Sequence, residues 1–297
     1  MSNLKEIKNR IEATKSTRQV TRTMEMVSTA KIRGAQNRIE GTRPYIGSLA
    51  KILASVTRAT KEINHPLLEM RPEIKRVMIV AVASDRGQAG AFNANIIHMT
   101  EELIAERQAL GQEVELVCCG KRVVDYFRAR GIEPDLINQG QSGRPLYEDV
   151  RVLADHIIDE YSNASVDEII MVSNLFISVG SQRAERTTIL PATVDEFEEE
   201  VAESDERRTE MEYIFEPSAE SVLEKLLPTF VEALIYRALL DSAASEHAAR
   251  RVAMKAATDA AEGMIGTLTR SYNRARQAAI TTEIAEIVGG AAALEDQ

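Results

Sequence analysis

Both ends of the 297-residue chain carry helical periodicity over lengths that one globular core cannot absorb. Residues 3–43 hold no proline and only two glycines, Gly34 and Gly41. Apolar side chains recur at Leu4, Ile7 and Ile11, then at Val20, Met24 and Val27, then at Ile32, Ala35 and Ile39. Steps of three and four mark an amphipathic helix. The narrow stripe shifts phase twice, as a heptad seam with stutters would. Pro44 is expected to kink or interrupt the helix, which resumes in "YIGSLAKILASVTRAT". From Ser218 to Val288 the helical pattern returns, interrupted after Pro228 only by Gly263 and Gly266. Forty residues of helix span about 60 Å and sixty span about 90 Å. The Ala-rich centre of the second stretch, "SAASEHAARRVAMKAATDAAEG", favours helix intrinsically and lets a partner helix approach closely. Two such segments predict an antiparallel two-helix coiled coil.

Between them the pattern changes. Apolar strands ("IKRVMIVAV", "VELVCC", "DEIIMVSN") alternate with helices ("NANIIHMTEELIAERQAL", "RVVDYFRAR", "YEDVRVLADHIIDEYSN"). That order predicts an α/β domain with a mostly parallel sheet. "FISVGSQRAERTTILP" adds a strand or hairpin at the sheet edge. The predicted fold class is therefore α/β plus a long antiparallel two-helix coiled coil. Its Rossmann-like, mostly parallel sheet is inserted between the terminal helices. The expected parts are an N-terminal coiled-coil helix over 1–62, the α/β domain over 74–217 and a C-terminal coiled-coil helix over 218–297. Residues 195–210 hold nine acids and two bases and read as an exposed loop.

Charge limits the partners. The formal net charge is −10, yet residues 1–45 carry +6 and residues 250–276 carry +4. The basic helix faces lack the interleaved aromatics of a nucleic-acid surface and the broad apolar faces of membrane-surface helices. They suit contact with an acidic protein surface. No apolar run reaches the roughly 18 residues that span a bilayer, and the charged N-terminus is unlike a signal peptide. The expected location is the cytoplasm, with attachment to something membrane-bound left open. Cys118 and Cys119 adjoin in a buried strand, so they should face opposite sides of the sheet as inert thiols.

The most enzyme-like stretch is "VASDRGQAGAFNAN", a Gly-rich turn between a strand and a helix, where an α/β fold would bind phosphate. Gly87 and Gly90 supply only G-x-x-G, without a dinucleotide fingerprint or P-loop lysine. A tight turn with Asn93 or Asn95 capping the next helix is the plainer reading. His65, His98, His156 and His247 are scattered, and none lies at metal-ligand spacing. No serine or cysteine shows a local nucleophile signature. Neither cofactor nor metal is expected.

Five ordered blocks carry a resemblance. "RQAAITTEIAEIVGG" contains Ile280, Thr281, Glu283, Glu286 and Gly290, with Ala291 and Ala293 following. "IKNRIEATKSTRQVTRTMEMVSTAK", "SDRG" at 84–87, "YIFEP" at 213–217 and "ASEHAARRVAMKAATDA" at 244–260 complete the set. Along essentially its whole length the chain resembles the gamma subunit of bacterial F-type ATP synthase, the central rotor shaft. The resemblance implies a non-catalytic subunit that couples rotation of the membrane c-ring to ATP synthesis or hydrolysis in the catalytic beta subunits. It implies alpha, beta and epsilon subunits and the c-ring as partners. It also implies a peripheral place on the cytoplasmic side of the cell membrane, reached through the c-ring. Carried over by position, Met24, Arg250, Arg276, Gln277, Thr281 and Glu283 are expected to contact the catalytic head. Tyr213 and Glu216 are expected near the polar loops of the c-ring. The turn departs from the pattern, reading "DRGQAGAFN" where many relatives have Leu-Cys-Gly after Arg-Gly. The inserted cysteine pair of plant plastid relatives is absent. Two other readings compete: an enzyme using the "SDRGQAG" turn as a dinucleotide site, and a static coiled-coil adaptor.

Overall fold

A computed structural model describes residues 2–59, 65–140, 142–193, 215–216 and 218–295. The order of elements is α1 (Ser2–Ala59), a 3-10 turn (Pro66–Leu68), β1 (Arg76–Val82), α2 (Phe92–Ala109), β2 (Glu113–Cys119), α3 (Lys121–Arg128), β3 (Leu136–Asn138), α4 (Tyr147–Ser162), β4 (Glu168–Ser178), β5 (Ser181–Leu190) and α5 (Ala219–Glu295). Packing separates residues 1–27 with 251–297 from residues 28–250.

The first unit is an antiparallel helix pair. Thr21 and Thr258 share a hydroxyl hydrogen bond of 2.7 Å, and Arg18 lies 3.7 Å from Glu262. Thr14 Oγ1 reaches Met264 Sδ at 3.9 Å. On α5 the inward positions are Met254, Thr258, Ala261, Ile265, Leu268, Tyr272 and Ala275. On α1 they are Leu4, Ile7, Ile11, Thr14, Arg18 and Thr21. Both sets step strictly by three and four, a heptad seam. The predicted phase shifts are absent, because Thr14, Arg18 and Thr21 hold seam positions that apolar counting assigns elsewhere. Val20 and Val27 are instead 54% and 50% exposed. Threonine suits the seam because its hydroxyl can satisfy itself locally or across the pair; Thr258 also donates to its own helix at Met254 O.

In the second unit α1 continues through Pro44 without a break. Pro44 and Glu40, whose carbonyl loses its amide partner, are both exposed, so water can serve that carbonyl. The sheet order is β3-β2-β1-β4-β5, parallel except for the β4–β5 hairpin at one edge. One face, including Met78, Val80, Val82, Cys119 and Met171, packs under α4, α5 and the later part of α1, where Leu53, Ile157, Leu227 and Phe230 are buried. The other face, with Val77, Ile79, Cys118 and Val172, packs under α2 and α3 through Ile96, Leu103, Val123 and Phe127. Burial on both sides explains why β1 reads as an unbroken apolar run. The short strand β3 was not expected; three half-buried residues leave too little pattern to detect. Gly120, between β2 and α3, has φ +102°, and a Cβ there would lie 2.2 Å from Ala83 O. No other residue fits this crossing.

The adjacent cysteines lie in different apolar layers, as alternation along β2 requires. Burial raises both thiols to a pKa of about 12. Native protein should therefore show no reaction with an aromatic disulfide reagent at pH 8, and both thiols should react once guanidinium unfolds the chain. Rapid labelling of either in the native state would contradict this packing.

Candidate functional site

In the first unit the helix pair runs out before α5 does. The register set by Thr21 and Thr258, carried to the start of α1, places Leu4 opposite the turn around Ala275. From Arg276 to Gly289 every residue of α5 is exposed. An isolated helix of this length is marginal in water, because nucleation is costly. Here the paired helix behind it supplies the nucleus, and Ala278, Ala279 and Ala285 favour propagation. The Thr281 and Thr282 hydroxyls donate to the carbonyls of Gln277 and Ala278 at 2.9 and 3.0 Å. Arg276, Gln277, Thr281 and Glu283 thus share one exposed segment with Ile280, Ile284, Ile287 and Val288, which are 47–67% exposed. Four aliphatic side chains in water on 14 residues form an uncovered apolar surface with polar groups interspersed. Met24 is half-buried on α1, near the exposed Met26 and Val27.

Arg250 belongs to the second unit and is nearly enclosed. Its Nη2 lies 2.7 Å from Glu246 Oε1, and Nη2 and Nε donate to Gly87 O at 3.2 and 3.4 Å. Its side chain is held by groups of its own domain. Glu216 is exposed at the entry to α5, and Tyr213 and the acidic 195–210 segment lie outside the described residues.

The "SDRG" turn follows β1, at the side of the sheet where the chain order reverses and α/β proteins bind nucleotides. Here the chain's own groups occupy it. The Asp85 carboxylate accepts from the backbone amides of Lys121 at 3.0 Å and Ser142 at 3.1 Å. Burial disfavours its charge, but the amides of Gly140, Ser142 and Lys121 outweigh burial and hold its pKa below the ordinary value. The first amide of α3, a natural anion donor, is thereby taken. Asn93 does not cap α2; its Oδ1 accepts from both Ser84 N and Ser84 Oγ at 2.9 Å. The neighbouring pocket is lined by Val82, Cys119, Asn138, Asp149, Leu239 and Ser242 among others, with one carboxylate and no cation. That is the wrong sign for a phosphate. Among the described residues no cluster could hold a metal ion, and no helix is long and apolar enough to cross a membrane.

Buried polar groups continue along α5. Asp241 is 7% exposed, near the Arg237 guanidinium at 4.0 Å. Burial raises its pKa to about 6, against the pull of Arg237 and Arg43. His247 Nε2 donates to Gly143 O at 2.9 Å, and burial holds the ring below its ordinary pKa.

Comparison with known proteins came to one family. The family model for ATP synthase matches residues 3–294. Three solved structures share the fold. A central-stalk/c-ring chain of the Tetrahymena thermophila mitochondrial ATP synthase is 22% identical, with a TM-score of 0.58 over 80% of this chain and 99% of that one. A rotor chain of the Euglena gracilis mitochondrial ATP synthase is 16% identical, with a TM-score of 0.61 over 94% and 99%. A chain of the Euglena gracilis OSCP/F1/c-ring assembly is 18% identical, with a TM-score of 0.66 over 99% and 95%.

The polar stripe makes stability depend on pH in a defined sense. Asp241 has a folded pKa of about 6, above its unfolded value. Its protonation therefore favours the fold, and that benefit is present at low pH and lost as pH rises through about 6. Relative to Asp241→Asn, the wild-type chain should lose up to about 3 kcal/mol of unfolding free energy between pH 4 and pH 8. Urea titrations across that range test this; a constant difference between the two proteins would contradict it.

Proposed function

The chain belongs to the gamma-subunit family of ATP synthase, whose members are the rotor stalk and not the catalytic subunits, and from that premise we propose how this chain couples rotation to catalysis. The exposed end of α5, residues 276–289, occupies the cavity of a catalytic head built from alternating alpha and beta subunits. The α/β domain stands on the c-ring beside the epsilon subunit. The working parts are the coiled-coil helix 1–62, the domain 74–217 and the coiled-coil helix 218–297. The protein is peripheral, on the cytoplasmic side of the cell membrane, and reaches the bilayer through the c-ring. Proton flow turns ring and shaft, and the asymmetric shaft drives each catalytic beta subunit through its states in turn.

The observation that carries this reading is the uncovered tip. Its side chains are small or aliphatic with few charges, so the tip can fill a cavity without a strong preference for one wall. Each 1.4 kcal/mol of preference for one orientation would cost about tenfold in exchange with the others. Arg276, Gln277, Thr281 and Glu283 supply the orientation-dependent contacts, since charged hydrogen bonds are directional where aliphatic contact is not. Met24 meets the head from α1. Arg250 adds to the head contact lower on α5. Tyr213 and Glu216 face the polar loops of the c-ring.

Enzyme reconstituted in vesicles tests the assignment. Arg276→Ala and Glu283→Lys should lower ATP-driven proton pumping roughly two- to fivefold, as losing about 0.5–1 kcal/mol at an exposed charged contact implies. Assembly should be unaffected, because neither side chain is buried. Unchanged pumping in both variants would reject a coupling role for these side chains.

A further inference from the structure

The α5 helix is attached to the α/β domain in two chemically different ways. Leu223, Leu227, Phe230 and Val231 press it on the sheet face through apolar contact. Such contact resists separation, but it has no preferred direction and resists sliding or turning less well. One region is different. Glu246 and Arg250, one turn apart, are 3% and 8% exposed and joined at 2.7 Å. Arg250 also donates twice to Gly87 O in the turn after β1. The other Glu246 oxygen accepts from Ser142 Oγ at 3.1 Å, in the loop after β3. Ser142 Oγ in turn accepts from Asp85 N at 2.9 Å, which returns the path to the β1 turn. Two loops and the helix thus close a ring of hydrogen bonds inside the domain, charge-assisted at Glu246 and Arg250.

We propose that Glu246 and Arg250 are positioning residues that lock α5 in rotation against the α/β domain, with Ser142 and the Gly87 carbonyl as the receiving side. The lock rests on the rotor function of the family. If torque enters at the domain and leaves along α5, this joint carries part of it. Buried charges suit the task. Turning the helix would pull a carboxylate and a guanidinium off partners they cannot replace with water. The four partners also hold one another's geometry, so removing one loosens all.

The test uses the whole reconstituted enzyme with the catalytic head fixed to a surface. A probe is attached to the α/β domain, and turnover is stopped by withholding nucleotide. The angular spread of the resting probe then reports the torsional stiffness between head and domain. Arg250→Ala and Glu246→Ala should each widen the angular variance at least about twofold, and the double variant should widen it little further, because both break one ring. Ser142→Ala keeps the ion pair and should widen it by a smaller amount; it decides the matter if the other two do not assemble. Lys255→Ala, an exposed position on the same helix, is the control. An unchanged variance in Arg250→Ala, or in Ser142→Ala where that variant stands in, would overturn the lock. So would an equal widening in Lys255→Ala. Addition of ATP to the wild-type enzyme in the same chamber tests the rotor premise separately: turning with unaltered stiffness in the variants refutes the lock alone.

Discussion

Everything in this chain depends on holding one 77-residue helix. A helix gains little from its own backbone bonds in water, so its stability must come from an apolar or satisfied face against something else. The chain provides two such supports. From Met254 to Ala275, α5 has α1 beside it over a strict three-four seam of aliphatic side chains with threonines among them. From Leu223 to Arg250, in its first half, it has the parallel sheet and a ring of buried polar bonds. Among the described residues of α5, 276–289 have neither support, and every one of them is exposed.

The seam also shows where sequence reading stops. The two long helices, the parallel strands and the edge hairpin were legible because each rests on a repeated pattern over many residues. The register of α1 was not. Val20, Met24 and Val27 look like a seam, but the structure gives the inward positions to Thr14, Arg18 and Thr21, which satisfy their polar groups locally or across the pair. Apolar counting cannot detect the stretch of the seam that Thr14, Arg18 and Thr21 fill. Pro44 breaks nothing because its lost hydrogen bond faces outward, and no local rule states which face a proline will occupy.

The tip was legible from its own residues and the resemblance they carry. The polar ring was not, because Ser142 and Glu246 stand 104 positions apart. The spacing of Glu246 and Arg250 was visible and fits an ordinary exposed helix pair; burial turns it into a structural joint. The "SDRG" turn invited a nucleotide reading for a sound physical reason, its place at a strand end. Asp85 occupies that place from within, filling with a fixed carboxylate the position that a ligand anion would take. A fold that can bind nucleotides here uses the same geometry to brace loops.

The account stands or falls on whether this chain turns. A gold rod fixed to the α/β domain of the surface-held enzyme, followed under dark-field illumination with ATP present, measures that directly. The account predicts stepwise rotation in one direction that stops when ATP is removed. Continued ATP hydrolysis by complexes whose rods only jitter about a fixed angle would contradict it.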